Sequence, residues 1–174
     1  TTRGWYNTIT DDSELLDRSV VYSSNNDKSL TGDTIYYNRA SGYGIVHGNM
    51  MLQDTVRKVI LRGHYGYYDE KTEFALSSDS AFAIEYSQKD SLFIHGDTLT
   101  MFTDSVNREM RAYHNVRFYR NDLQGVCDSM EFISKDSILY LFKDPILWHE
   151  NNQIIGDEMN IYMNDSTIDK VHIK

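Results

Sequence analysis

Five aspartates recur at one kind of place in this chain. Asp33, Asp79, Asp97, Asp128 and Asp157 each follow a small residue and open a short run of alternating apolar residues, as in Gly32-Asp33-Thr34-Ile35-Tyr36-Tyr37, Gly96-Asp97-Thr98-Leu99-Thr100-Met101 and Gly156-Asp157-Glu158-Met159-Asn160-Ile161. Brought together in space, two such carboxylates could cleave a glycosidic bond, and several could hold calcium. However, neither the EF-hand loop nor the Gly-Gly-x-Gly-x-Asp nonapeptide is present. The plainer reading is that each Asp caps a bend in its own strand. The other reactive side chains give less. The six histidines (His47, His64, His95, His114, His149 and His172) form neither His-Glu-x-x-His nor His-x-His, so no metal site is expected. Cys127 has no basic neighbour in sequence to make a thiolate. There is no nucleophile elbow, phosphate loop or dinucleotide fingerprint, so no cofactor is expected and the chain reads as a non-enzyme.

The elements that carry these residues read as strands. Polar clusters such as Ser23-Ser24-Asn25-Asn26-Asp27-Lys28, residues 87–91, Ser134-Lys135-Asp136-Ser137, Glu150-Asn151-Asn152-Gln153 and residues 164–166 have turn chemistry, and runs of strand length lie between them. A dozen or more strands are expected. Helical readings of residues 54–62 and 104–119 are weak, because Val56, Val59, Ile60 and Leu61 fit a strand at least as well. The length of 174 residues suits one domain and a real core. The net charge of −9 argues against nucleic acid. No apolar run is long enough for a membrane-spanning helix. Since no charged-then-apolar segment opens the chain, any signal peptide is expected to have been removed.

Parity along each strand assigns faces, because successive side chains point to opposite sides. Carried through each Asp, it places Ile35, Tyr37, Leu99, Met101, Val126, Met130, Phe132, Ile155, Met159 and Ile161 on one apolar, inward face. An inward Asp is costly unless hydrogen-bonded, so a bend is expected there, with the carboxylate taking backbone N–H groups. The repeating unit is then a bent strand whose halves join two facing sheets. The soft side chains of Met50, Met51, Met101, Met130, Met159 and Met163 suit either a core or a changing hydrocarbon guest. Two basic clusters, Arg57, Lys58, Arg62 and His64, and Arg108, Arg111, His114, Arg117 and Arg120, read as solvated faces or as a rim for anionic head groups.

Residues 111–174 resemble the OstA-like family of periplasmic lipopolysaccharide-transport proteins. The likeness lies in Ala112-Tyr113-His114-Asn115-Val116-Arg117-Phe118-Tyr119, in Leu123-Gln124-Gly125-Val126-Cys127-Asp128-Ser129-Met130, in Asp144-Pro145-Ile146-Leu147-Trp148 and in Asn152-Gln153-Ile154-Ile155-Gly156-Asp157-Glu158-Met159. Residues 30–49 are similar to the same repeat, and residues 69–90 match it poorly. The resemblance implies an all-β fold with little or no helix: an open, twisted β-jellyroll of two facing antiparallel sheets. It implies one OstA-like domain over residues 1–174, with residues 1–27 a partial extra repeat. It further implies a periplasmic role in which lipid A acyl chains of lipopolysaccharide lie between the sheets. Arg57, Lys58, Arg62, Arg111, Arg117 and Arg120 then become head-group rim candidates. Exposed edge strands near residues 1–22 and 165–174 would pair head to tail with other OstA-like modules. Two other readings stay open: a structural assembly module that holds no lipid, which requires a fully packed interior, and a glycan-active enzyme on a stacked β scaffold.

Overall fold

The computed structural model describes residues 1–87, 89–104, 107–164 and 167–174. The turn clusters read at 87–91 and 164–166, the weak helical reading of 104–119 and the expected C-terminal edge therefore fall partly outside the described residues, at 88, 105–106 and 165–166. Sixteen antiparallel strands make up the rest: β1 (Gly4–Tyr6), β2 (Asp12–Leu15), β3 (Ser19–Tyr22), β4 (Lys28–Gly32), β5 (Thr34–Asn38), β6 (Tyr43–Asp54), β7 (Val59–Asp69), β8 (Phe74–Glu85), β9 (Leu92–Thr103), β10 (Arg108–Arg120), β11 (Leu123–Ile133), β12 (Ile138–Phe142), β13 (Ile146–His149), β14 (Asn152–Ile155), β15 (Glu158–Met163) and β16 (Ile168–Ile173).

The central strands are long and each changes register once near its middle. The shifts fall between His47 and Met50, Arg62 and Tyr65, Ser78 and Ala81, and Tyr113 and Val116. Those interruptions line up from strand to strand and crease the sheet into two wings. Wing 1 runs β1-β2-β5, then residues 43–47, 65–69, 74–78, 98–103, 108–113 and 129–133 of the long strands, then β12-β15-β16. Wing 2 runs β3-β4, then 50–54, 59–62, 81–85, 92–96, 117–120 and 123–126, then β13-β14. Chain ladders thus continue past the crease on both sides without closing into a barrel.

The crease has a backbone signature. Asn49, Asp79, Ser80, His114 and Asn115 all have φ between 50° and 62°, and Gly48 has φ 79°. Asn and Asp tolerate this left-handed region because their short polar side chains bond locally. Of the five repeat aspartates only Asp79 adopts it, with Ser80 beside it; the crease's other left-handed residues, Gly48, Asn49, His114 and Asn115, lie in the strands between the repeat's copies.

Each wing buries alternate residues. Wing 1 turns Ile35, Val46, Ala75, Leu99, Met101, Met110, Ala112, Met130, Leu139, Leu141, Met159 and Ile161 inward, and wing 2 turns Leu30, Met50, Leu52, Val59, Leu61, Ala81, Ala83, Ile94, Phe118, Leu123 and Leu147 inward. The wings pack closely where glycines lie. Any side chain at Gly44 would meet Leu30 Cδ2 at 2.9 Å, and one at Gly66 would press into Met50 of the opposite wing. Outside, wing 1 carries an aromatic ladder, with ring centroids 5.8 Å apart for Tyr36–Tyr43, 6.0 Å for Tyr43–Tyr67 and 6.2 Å for Tyr67–Phe74.

Candidate lipid groove and its charged mouth

Between the wings the side chains form one continuous apolar interior. Of the residues expected to face it, Ile35, Leu99, Met101, Met130, Met159 and Ile161 are buried there. Tyr37 and Phe132 pack against its margins. Met50 and Met110 join Met101, Met130 and Met159, so five of the seven methionines lie inside.

Two of the expected residues face elsewhere. Ile155 is 61% exposed, and its neighbour Ile154 packs against the core instead. Parity does not carry from Met159 to Ile155, because Gly156 and Asp157 form the connection between β14 on wing 2 and β15 on wing 1. Val126 lies on the outer side of wing 2, beside Arg117 and Trp148. Here the interruption near Cys127–Asp128, opposite the Tyr113/Val116 shift, flips the alternation: Leu123, Gly125 and Cys127 face in before it and Met130 after it. Cys127 is therefore interior, and burial pushes its thiol up to about 12, so it stays protonated and inert.

The bend aspartates are not inward either. Asp97, Asp79 and Asp157 are exposed, and Asp33 and Asp128 are half-buried. For Asp33, Asp97 and Asp128 the partners are side chains rather than the backbone N–H groups expected. Asp33 accepts from Arg18 at 3.0 Å and Asn49 at 2.6 Å, and Asp97 accepts from Asn115 at 3.0 Å. Asp128 accepts from Ser129 at 2.7 Å and Lys143 at 3.0 Å, with His114 Nδ1 at 3.3 Å. These contacts hold the Asp128 carboxyl down at about 2. Among the described residues no group of three or more His, Cys, Asp or Glu could hold a metal ion.

The end of the interior opposite the crease is charged. Lys28 of wing 2 donates to both carboxylate oxygens of Glu73, in the β7–β8 turn of wing 1, at 2.6 Å. Arg57 reaches Asp54 at 2.9 Å and Glu73 at 3.3 Å. Arg108 of wing 1 reaches Glu85 of wing 2 at 3.3 Å and donates to the Arg57 carbonyl at 2.9 Å. Arg120 chelates Asp122 at 2.5 and 2.7 Å. Lys28, Asp54, Glu85 and Arg120 are buried. Burial is the largest influence on the Lys28 ammonium and disfavours its charge, yet Glu73 and Tyr68 together outweigh that and raise its pKa. The wings are thus latched across their open side by ion pairs in a partly desolvated setting, where removing one partner leaves the other charge buried and uncompensated. Lys28 and Glu85 were not among the candidates read from sequence, and Arg108 was read only as a member of a basic cluster, not as a cross-wing partner. Their signal was available, because Lys28 shares parity with Leu30, Glu85 with Ala83, and Arg108 with Met110 and Ala112.

The interior has little room behind this latch. A void of about 20 Å³, enough for one water, lies among Val21, Lys28, Leu30, Tyr37 and Tyr68. A notch of about 130 Å³ opens at the mouth between Glu85, Arg108, Arg120, Phe132 and Met163.

The six arginines and lysines expected to form one rim do not come together. Arg57 and Arg120 are mouth residues engaged in ion pairs. Lys58 is exposed in the turn beside Arg57, with φ 54°. Arg62 lies by the crease and Arg117 on the outer face of wing 2. Arg111 is on the outer face of wing 1, paired with Glu109 and with Glu131 at 2.9 Å. The long strands explain the scatter, since residues close in sequence are carried to opposite wings and faces.

No family model and no curated protein matches this chain. Among solved structures, it is similar to LptH, described as the LptA-homologous periplasmic component of the conserved lipopolysaccharide transport device from Pseudomonas aeruginosa. The TM-score is 0.52, with 13% sequence identity, over 60% of this chain and 74% of that one. The chain has the LptH fold. The unclosed, all-β jellyroll implied by the OstA-like resemblance is therefore the architecture found. At 13% identity the LptH likeness is one of backbone path, and it transfers no residue role. No helix among the described residues is long and apolar enough to cross a membrane.

Proposed function

We propose that this chain is a non-enzymatic periplasmic module of lipopolysaccharide transport, taking lipid acyl chains between its wings and docking with similar modules through its edge strands. The observation that carries this reading is the LptH fold built around an apolar, methionine-rich interior held shut on the side away from the crease by a latch of ion pairs. In the closed state that interior is filled by its own side chains, so loading requires the wings to part. Burying one acyl chain of about twelve carbons is favourable by roughly 9 kcal/mol, at ~0.8 kcal/mol per CH₂. Parting the mouth pairs costs a few kcal/mol. Freed from their carboxylates, Lys28, Arg57 and Arg108 can pair with head-group anions at the mouth. Asp128 is held low, whereas a general acid needs a raised pKa, so this carboxyl is unsuited to that role.

Weakening the latch tests this. Arg108→Gln with Glu85→Gln should speed lipopolysaccharide loading several-fold in a purified binding assay. Failure of both the parent chain and the loosened variant to take up any lipopolysaccharide would overturn it. The tight interior favours the second reading, a bridging module that holds no lipid. That reading predicts the null result together with capture of neighbouring modules.

A further inference from the structure

The outer face of wing 2 has a property the rest of the molecule lacks. In a chain of net charge −9, no outward position on this wing's strands is Asp or Glu. One cross-strand row runs Met51, Arg62, Phe82, His95, Arg117, Val126, Ile146, Ile155, each paired with the next. The row beside it holds Phe93, Tyr119 and Trp148. Phe82 stacks on Phe93 with centroids 6.1 Å apart, and Phe93 meets Tyr119 at 6.4 Å. Neither Arg62 nor Arg117 makes an ion pair with a described residue, whereas Arg111 on the opposite wing is doubly paired. Two recesses share Phe82. One, of about 950 Å³, is bounded at the crease by Arg62 and His64, by Arg18, which is paired with Asp33, and by Asp79, and the other, of about 330 Å³, by Phe93, Arg117 and Trp148.

We infer that this face binds an extended anionic oligosaccharide, laid across the strands, with its acidic groups on Arg62 and Arg117 and its sugar rings against Phe82, Phe93 and Trp148. Strands are 4.7–4.9 Å apart, comparable to the length of one pyranose residue along an extended chain, so successive rings meet successive strands. Guanidinium groups without an ion-pair partner among the described residues, on strands whose outward positions carry no Asp or Glu, supply a local charge complementarity that the molecule as a whole denies to anions. Half-buried aromatics lining recesses fit rings entering from the side. They fit a flat bilayer surface poorly, because that requires protruding apolar side chains. The inference does not require lipid between the wings.

The test uses the full chain and a lipid-free oligogalacturonate of about eight residues, followed by calorimetry and tryptophan fluorescence. A neutral malto-oligosaccharide of equal length is the control. Binding is expected to weaken at least tenfold in R62Q/R117Q, to fall with salt, and to be unchanged in Arg111→Gln. The neutral sugar should bind at least tenfold more weakly. The inference is overturned if the oligogalacturonate does not bind, if Arg111→Gln loses as much as the double variant, or if the chain adsorbs to phosphatidylglycerol vesicles while ignoring the oligosaccharide.

Discussion

Gly63 and Gly96 occupy comparable places, each at the crease on wing 2, yet their surroundings differ in a way that fixes opposite outcomes. A Cβ at Gly63 would sit 2.6 Å from the Ser78 carbonyl oxygen and press on the Ser77 hydroxyl, which itself donates to Arg62 at 2.7 Å. Backbone cannot give way cheaply there, so Gly63→Ala should cost about 1–3 kcal/mol. At Gly96 the nearest atom would be Tyr113 O at 3.4 Å, an ordinary contact, and Gly96→Ala should be near neutral. Urea unfolding of the two variants checks the contrast, and equal destabilisation would refute the crease packing. Asp128 gives a pH prediction at the same scale. Its folded pKa, about 2, lies below the ordinary 3.8, so its contribution is fully present above about pH 4 and is lost as the pH falls towards 2. Asp128→Asn should therefore lose less stability than the parent between pH 4 and 2. Identical acid profiles would show that the Lys143 and Ser129 contacts are energetically idle. The small-residue-then-Asp signature made these bends legible in the sequence. What it could not convey was the carboxylates' partners, because Arg18, Asn49, Asn115 and Lys143 come from other strands or loops and meet the aspartates only through pairing.

At the scale of strands, alternation was a reliable guide within each half-strand and failed across interruptions. Met130 and Phe132, or Met159 and Ile161, share one uninterrupted half and face in together. Val126 and Ile155 lie across a bulge or a loop from the residues used to place them, and both end on the outside. One extra residue reverses every side chain beyond it, and sequence marks where a bulge can form without saying how many residues it absorbs. The mouth latch belongs to this scale too. Arg108→Ala leaves Glu85 buried without its cross-wing cation and should cost about 2–4 kcal/mol. Replacing both, Arg108→Met with Glu85→Leu, should recover most of that loss, since an apolar pair needs no desolvation. A double-mutant cycle by thermal unfolding measures the coupling. Purely additive effects would mean that the pair does not hold the wings.

For the whole molecule, the consequence of an unclosed sheet is its ends. Among the described residues, β1 and β16 on wing 1 and β3 and β14 on wing 2 each have one strand neighbour, and β14 shows an exposed Ile155. Unpaired edges of this kind accept further strands. Sedimentation over a wide concentration range should show assembly that grows with concentration, whereas a strict monomer at high concentration would contradict edge docking. The architecture was readable because every repeat is the same bent strand. The contents of the interior were not, because packing across two wings depends on which glycines let Leu30 and Met50 approach the opposite face. The central claim is that the interior face of this bent sheet shields lipid. Photo-crosslinking probes placed in cells at Met130 and Met159, inside, and at Glu131 and Glu158, outside, address it most directly. Lipopolysaccharide adducts at the two methionine positions alone are the predicted result. Adducts at neither pair, with neighbouring protein modules captured instead, would contradict a lipid-shielding interior.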